Sequence, residues 1–244
     1  MSGTPSASRR RPVAPTAAAE ARSALRPASD AAVGVAVDVV PCALVDGRPH
    51  AALVRVESGP EKGRYAFPGG RVRAWESLDG AARRWLQQYL DSEGAYVEQL
   101  YTFGEPSRDP GARIVSVVYL ALLGAAIAHA GVSWFPYDQL PELAYDHASV
   151  ARIARERLRA KITYTNVACH LLPASFSLSE LQGVYETILG RKLDRRNFRK
   201  RVLSLGLLAP VGEIRRGAHR PARLYAFAER RPMVAEMRSA PPRS

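Results

Sequence analysis

The 244-residue chain reads as an α+β protein in two parts. Three observations carry that reading. Strand-like apolar runs outnumber helical ones in the first part, and a strongly amphipathic helix interrupts them. Past residue 165 the pattern changes to helix, helix and basic ribbon. The charge divides nearby: residues 31–150 hold 10 Lys/Arg against 14 acids, whereas residues 151–244 hold 20 against 7.

The elements follow in order. Residues 1–30 are rich in Ala, Pro, Ser and Arg, carry 5 Arg against 2 acids, and have too little apolar surface to offset chain entropy; they are expected to be a disordered arm. Val33–Val40 is β-branched and apolar, Val45-Asp46-Gly47-Arg48 makes a turn, and Ala51–Val56 alternates again, which predicts a hairpin. Tyr65-Ala-Phe67-Pro68-Gly69-Gly70 is a short strand running into a turn. From Ser77 to Leu90 the residues Leu78, Ala81, Ala82, Trp85, Leu86 and Tyr89 recur at helical spacing. Val97–Phe103 reads as a strand, and Arg113–Leu123 as a strand buried on both faces. Trp134-Phe135-Pro136 is expected to open an irregular stretch, and Ser149–Arg159 to form an amphipathic helix with a basic face. Asn166–Leu172 is expected to be helical and stopped by Pro173. Ser177-Leu-Ser-Glu180 is a capping box opening a helix that Gly190 ends. Asp194 caps the next helix, to about Leu205. A Gly-containing basic segment, Val211–Pro221, and Arg223–Phe227 complete a winged helix-turn-helix pattern.

Composition excludes several classes. No apolar run approaches the ~18–20 residues of a membrane span. The basic start, Arg9 to Arg11, is followed by Pro, Ala and Glu20 rather than an apolar segment, so no secretory signal is expected. Two cysteines, Cys42 and Cys169, do not make a disulfide framework or a Cys-rich zinc site, and a cytoplasmic setting fits. A formal net charge of +12, concentrated in the last third, points to a polyanionic partner.

Gly70, Glu76 and Arg84 follow Phe67-Pro68-Gly69 as Gly-x5-Glu-x7-Arg, which resembles the Nudix box. That box continues Arg-Glu-apolar-x-Glu-Glu-x-Gly-apolar, and its glutamates hold Mg²⁺ on a diphosphate, because Mg²⁺ requires oxygen ligands. Here Trp85 stands for the first of these glutamates, Gln88 and Tyr89 for the pair, Asp91 for the glycine and Ser92 for the last apolar residue. The expected domain therefore keeps the fold and lacks the catalyst; no catalytic or metal-ligating residue is expected.

Across about residues 33–228 the chain resembles the Nudix-related transcriptional regulators, the NrtR family. Besides the box, the stretches that carry the resemblance are Glu98–Gly104, Arg108-Asp-Pro110, Arg113–Tyr119, Trp134-Phe-Pro136, Ala144–His147, Leu171-Leu-Pro173, Val184-Tyr-Glu186, Arg196–Arg199 and His219–Arg223. The resemblance implies a Nudix-like α/β/α sandwich followed by a winged helix, in a dimeric repressor of NAD biosynthesis or salvage genes. The Nudix-like domain would sense an NAD-derived ligand, typically ADP-ribose. The expected organisation is a Nudix-like domain over 31–148, a linker helix over 149–164, a winged helix over 165–230 and a disordered tail over 231–244.

A diphosphate needs cations or backbone N–H groups, and a base needs an aromatic face. The expected ligand-binding residues are Gly70, Arg71, Arg73 and Glu76 around the box turn, Arg113 after the Arg108-Asp-Pro loop, and Tyr101 and Phe103 as stacking surfaces. His147 is expected to be a structural hydrogen-bonding residue. No cofactor is expected, and Mg²⁺ is not expected to be required. On the second helix of the winged domain, Phe198, Val202 and Leu205 fall within ~60° of one another at ~100° per residue and form the buried face. Arg195, Arg196, Asn197, Arg199 and Lys200 are then the expected DNA contacts, with Arg215, Arg216, His219 and Arg220 of the ribbon gripping phosphate. The expected partners are palindromic duplex DNA, the small-molecule effector and a second copy of the chain. The alternatives are an active ADP-ribose pyrophosphatase with a basic appendage, and an RNA-binding or scaffold protein.

Overall fold

The computed structural model describes residues 32–92, 94–215 and 222–230. Strands β1 (Gly34–Val45) and β2 (Arg48–Arg55) meet at Asp46 and Gly47, whose φ values of 49° and 71° are those of a tight two-residue hairpin turn. β1 is the centre of a seven-stranded sheet. It pairs antiparallel with β2 and β4 (Gly69–Arg71) and parallel with β6 (Ile114–Leu122). β5 (Tyr96–Phe103) closes one edge against β6, while β3 (Tyr65–Ala66) and β7 (Val132–Pro136) pair with β2.

Every β1 residue from Ala36 to Ala43 is buried, because both sheet faces are covered. One face, with Val37, Val39 and Ala43, packs on Ala81, Ala82, Leu86 and Leu90 of helix α1 (Leu78–Leu90). Ser77 caps α1 by accepting from the Gly80 amide at 3.0 Å. The other face, with Val40, Cys42 and Leu53, packs on Val150, Ala154 and Leu158 of helix α2 (His147–Lys161). Helix, sheet and helix form the layers.

The winged domain follows. After a 3₁₀ turn at Val167–His170 come β8 (Phe176–Ser177), α3 (Leu178–Leu189), α4 (Arg195–Ser204), β9 (Leu208–Arg215) and β10 (Ala222–Phe227). α3 opens on the expected capping box: the Ser177 hydroxyl accepts from the Glu180 amide at 3.1 Å, and the Glu180 carboxylate accepts from the Ser177 amide at 2.7 Å. Gly190 ends α3 at φ 70°. Asp194 caps α4 through the Asn197 amide at 2.7 Å. β10 lies between β8 and β9.

Two segments depart from their sequence patterns. Trp134-Phe135-Pro136 lies in a strand, since β2 offers its free edge and the Trp134 indole N–H is satisfied by Ile127 O at 2.9 Å. Asn166–Leu172 forms only a 3₁₀ turn where a helix was expected. The Thr165 hydroxyl donates back to Lys161 O at 2.9 Å, and Pro173 follows closely, which leaves too few residues to propagate a helix.

The core on the α2 side does not stop at the sheet. Leu158 and Ile162, then Val167 and Leu171, then Leu181, Ile188 and Val202 belong to the same apolar cluster as Val40 and Leu53. α2 is thus a shared core helix rather than a spacer. Polar ties reinforce the seam: Arg159 Nε donates to Ile188 O at 3.0 Å, Lys161 Nζ donates to Tyr96 OH at 2.8 Å and pairs with Glu98, and the Tyr96 ring stacks on His170 at 4.6 Å. Both cysteines are buried and unbridged, and burial raises their thiols to about 12 for Cys42 and about 11 for Cys169. Among the described residues no helix is long and apolar enough to cross a membrane.

Candidate ligand cleft and nucleic-acid interface

A cleft opens where β1, β2 and β4 meet the loop before β6 and the entry to α2. Its lining includes Asp38, Arg55, Glu57, Gly69, Gly70, Arg71, Tyr89, Arg108, Tyr145 and His147. Gly70 has a φ of 151°, and a Cβ there would stand 2.8 Å from the Trp85 ring, so only glycine lets the backbone lie against this helix.

Buried charge organises the floor. Asp38 accepts from the Ser116 hydroxyl at 2.5 Å and lies 3.5 Å from Arg108 Nη2 and 3.6 Å from His147 Nε2. Burial alone would raise the Asp38 carboxyl; His147, Ser116 and Arg108 outweigh it and hold the group below its ordinary value. Arg108 also grips Asp146 bidentately, at 3.0 and 2.8 Å. His147 Nδ1 accepts from the Phe67 amide at 3.0 Å, a structural hydrogen bond of the kind expected of it. Tyr145 stands at a φ of 54°, an outlier for a bulky side chain.

The structure brings some of the expected ligand residues together and separates others. Gly70 and Arg71 line the cleft; Arg73, Glu76, Tyr101, Phe103 and Arg113 do not. Glu76 is held by Arg84 at 2.6 and 2.8 Å and accepts from the Arg73 amide at 3.2 Å, so it fixes the turn into α1. Arg84, its hydrogen-bond partner, holds the Glu76 carboxyl down to about 2. Phe103 is buried in the core and meets Tyr101, which is exposed, edge-on at 5.2 Å. Its ring is part of the core packing and does not line the cleft. Arg113 donates at 3.4 Å to the neighbouring Ile114 carbonyl. The cleft residues Asp38, Arg108, Tyr145 and His147 come from distant positions that no single sequence pattern unites. The positive φ of Tyr145 leaves no trace in composition.

The box helix carries no set of carboxylates. Trp85 lies under the Arg84 guanidinium at 4.3 Å and stacks on Tyr89 at 6.0 Å. Gln88 is exposed to solvent. Among the described residues no group of three or more His, Cys, Asp and Glu is placed to hold a metal ion.

On the winged domain, α4 buries Val202, with Phe198 and Leu205 packed against the core and the Phe198 ring edge-on to Tyr185 at 5.3 Å. Arg195, Arg196, Asn197 and Lys200 are exposed on the helix. Arg199 is half-buried, with Nη2 at 3.4 Å from the Ser179 hydroxyl of α3, so it is partly engaged in joining the two helices. The Arg215 backbone ends β9, and Arg216, His219 and Arg220 lie outside the described residues.

Residues 34–156 match the NUDIX domain, and residues 168–227 match the NrtR DNA-binding winged helix domain. The ADPR responsive transcriptional repressor NtrR of Acinetobacter baylyi is 33% identical over 202 residues, covering 79% of this chain and 81% of the relative. The chain belongs to the NrtR family. The crystal structure of Shewanella oneidensis NrtR complexed with a 27mer DNA superposes with a TM-score of 0.73 at 35% identity, covering 79% of this chain and 93% of that one. An ADP-ribose pyrophosphatase of Methanocaldococcus jannaschii is 27% identical over 105 residues, 41% of this chain and 62% of the relative. In this NrtR-family chain, α1 is the box helix and α4 the second helix of the DNA-binding motif.

Proposed function

We propose that this chain is a DNA-binding repressor of NAD biosynthesis or salvage genes, whose degenerate Nudix domain senses ADP-ribose or a related NAD-derived ligand. One observation carries the reading: a cleft rich in guanidinium groups and an exposed basic helix share a single core through α2. The Acinetobacter relative, named for its response to ADPR, and the DNA-bound Shewanella protein support both halves. Arg71 and the turn amides around Gly70 would receive the diphosphate, while Arg195, Arg196, Asn197 and Lys200 would enter the major groove as a palindrome-reading dimer.

The domain binds without cutting. Trp85, Gln88 and Tyr89 replace the carboxylates that would hold Mg²⁺ on the diphosphate, so Mg²⁺ is not required for binding. Calorimetry with and without Mg²⁺ should give the same ADP-ribose affinity. Phosphate-bond hydrolysis at enzymatic rates with Mg²⁺ present would favour the pyrophosphatase reading instead.

The direct test is fluorescence anisotropy at physiological salt, using duplexes from upstream of the chain's own gene and of nearby NAD-related genes, with scrambled duplex as control. Tight, sequence-preferring binding that ADP-ribose releases is the expected result. Equal, weak and salt-sensitive binding to every duplex would reduce the basic third to a general polyanion surface.

A further inference from the structure

The entry to α2 is built into the floor of the cleft, and its capping is unfinished. Asp146 occupies the N-cap position of α2, and aspartate is among the residues that cap helices best. Its side chain nevertheless makes no capping hydrogen bond, and its φ of −91° and ψ of 17° are not those of a capping residue. The carboxylate is taken instead by Arg108, bidentately, at 3.0 and 2.8 Å. Arg108 itself lines the cleft, only 4% of its side chain is exposed, and among the described residues its Nη1 makes no hydrogen bond. The residue before the cap, Tyr145, is held in the left-handed region.

We infer that Arg108 and Asp146 form a ligand-operated latch, in which an anionic effector in the cleft draws Arg108 away and leaves the Asp146 carboxylate to cap α2. The inference rests on the functional reading above and adds its means of coupling. A diphosphate entering beside Asp38 and Asp146 brings negative charge to a floor whose buried cation is Arg108. Guanidinium recognises phosphate and carboxylate with the same fork, so the two compete for it. Once released, the Asp146 side chain is within one helical turn of the Ala148 amide, while the Ser149 amide already donates to Asp146 O at 2.9 Å. Capping Ala148 swings the Asp146 backbone toward the extended region and lets Tyr145 leave its strained conformation. Two alternative arrangements of one short segment are what a switch requires. The far end of α2 reaches the winged domain through Arg159, whose Nε donates to Ile188 O, and through Leu158 and Ile162 in the shared core. A change at the α2 entry is thereby delivered to the helices that present α4.

The test compares wild type with Asp146→Ser, which loses the ion pair but keeps a capping oxygen, and Asp146→Ala, which loses both. Each is titrated with ADP-ribose by calorimetry and with operator duplex by anisotropy, with and without saturating ADP-ribose. For wild type the ligand should change DNA affinity by about 5- to 150-fold, the usual span of allosteric coupling. Asp146→Ser should bind DNA without ligand as weakly as ligand-saturated wild type does, and both variants should bind ADP-ribose at least as tightly as wild type while the ligand changes their DNA affinity less than about twofold. Amide exchange gives a readout that needs no variant: ADP-ribose should protect Ala148 in wild type. If Asp146→Ala does not fold, Asp146→Ser and the wild-type exchange measurement carry the test. Variants that respond to ADP-ribose as wild type does, or unchanged exchange at Ala148 in ligand-saturated wild type, overturn the latch alone. Wild-type DNA binding indifferent to ADP-ribose overturns the functional reading and the latch with it.

Discussion

Glu76 shows how a residue can belong to a binding motif and yet serve the fold. Its carboxyl is lowered from 4.5 to about 2 by the Arg84 guanidinium. A carboxyl lowered in the folded state contributes stability that is present above its unfolded value and lost as pH falls through the folded one. Glu76→Gln should therefore be less stable than wild type in urea at neutral pH, and the difference should shrink between about 4.5 and about 2. A difference that stays constant across that window would mean that the ion pair is not its source. Phe103 makes the complementary point. Phe103→Ala should cost about 3–5 kcal/mol of stability as a core truncation, and ADP-ribose affinity measured well below the melting temperature should be unchanged. Gly70 and Arg71 were legible in the sequence because the box spacing fixes a turn next to a helix. Asp38, Arg108 and His147 were not, since three separate elements bring them together and each looks alone like an ordinary core or loop residue.

At the scale of elements, helix ends were the most legible feature. Ser177, Glu180, Gly190 and Asp194 fall at the boundaries their chemistry demands, because capping depends on only four or five consecutive residues. β7 was illegible for the opposite reason: Trp134-Phe135-Pro136 becomes a strand only because β2 supplies an edge some eighty residues away. Asp194→Ala should destabilise the protein by about 1 kcal/mol and loosen α4, which would appear as weaker operator binding. Arg196→Ala and Lys200→Ala should weaken binding without changing the melting temperature. If either contacts phosphate, the slope of log affinity against log salt should fall by about one for that variant. A variant that instead relaxes preference at one base position would place its side chain on a base edge.

For the whole molecule, the charge asymmetry divides the chain into an acidic and a basic part, whereas the core unites them. Charge is read from composition, but the continuity of apolar packing from Leu53 through Ile162 to Val202 depends on which faces meet, and periodicity alone does not say. The three tryptophans, Trp75, Trp85 and Trp134, all lie in the sheet domain. Their fluorescence on heating should follow the same transition as a dye attached to the winged domain, because removing either part exposes the core of the other. Ile162→Ala, at the centre of the seam, should lower both transitions together, by about 2–5 kcal/mol. Two separate transitions would show that the seam holds only weakly.

The packing of Trp85 has a practical consequence. Its ring lies against Gly70, beneath the Arg84 guanidinium and beside Tyr89, whose own ring borders the cleft. An anion settling on the Gly70 turn would alter the field around that indole, so the protein's own ultraviolet emission should serve as an optical gauge of cleft occupancy, free of any attached label.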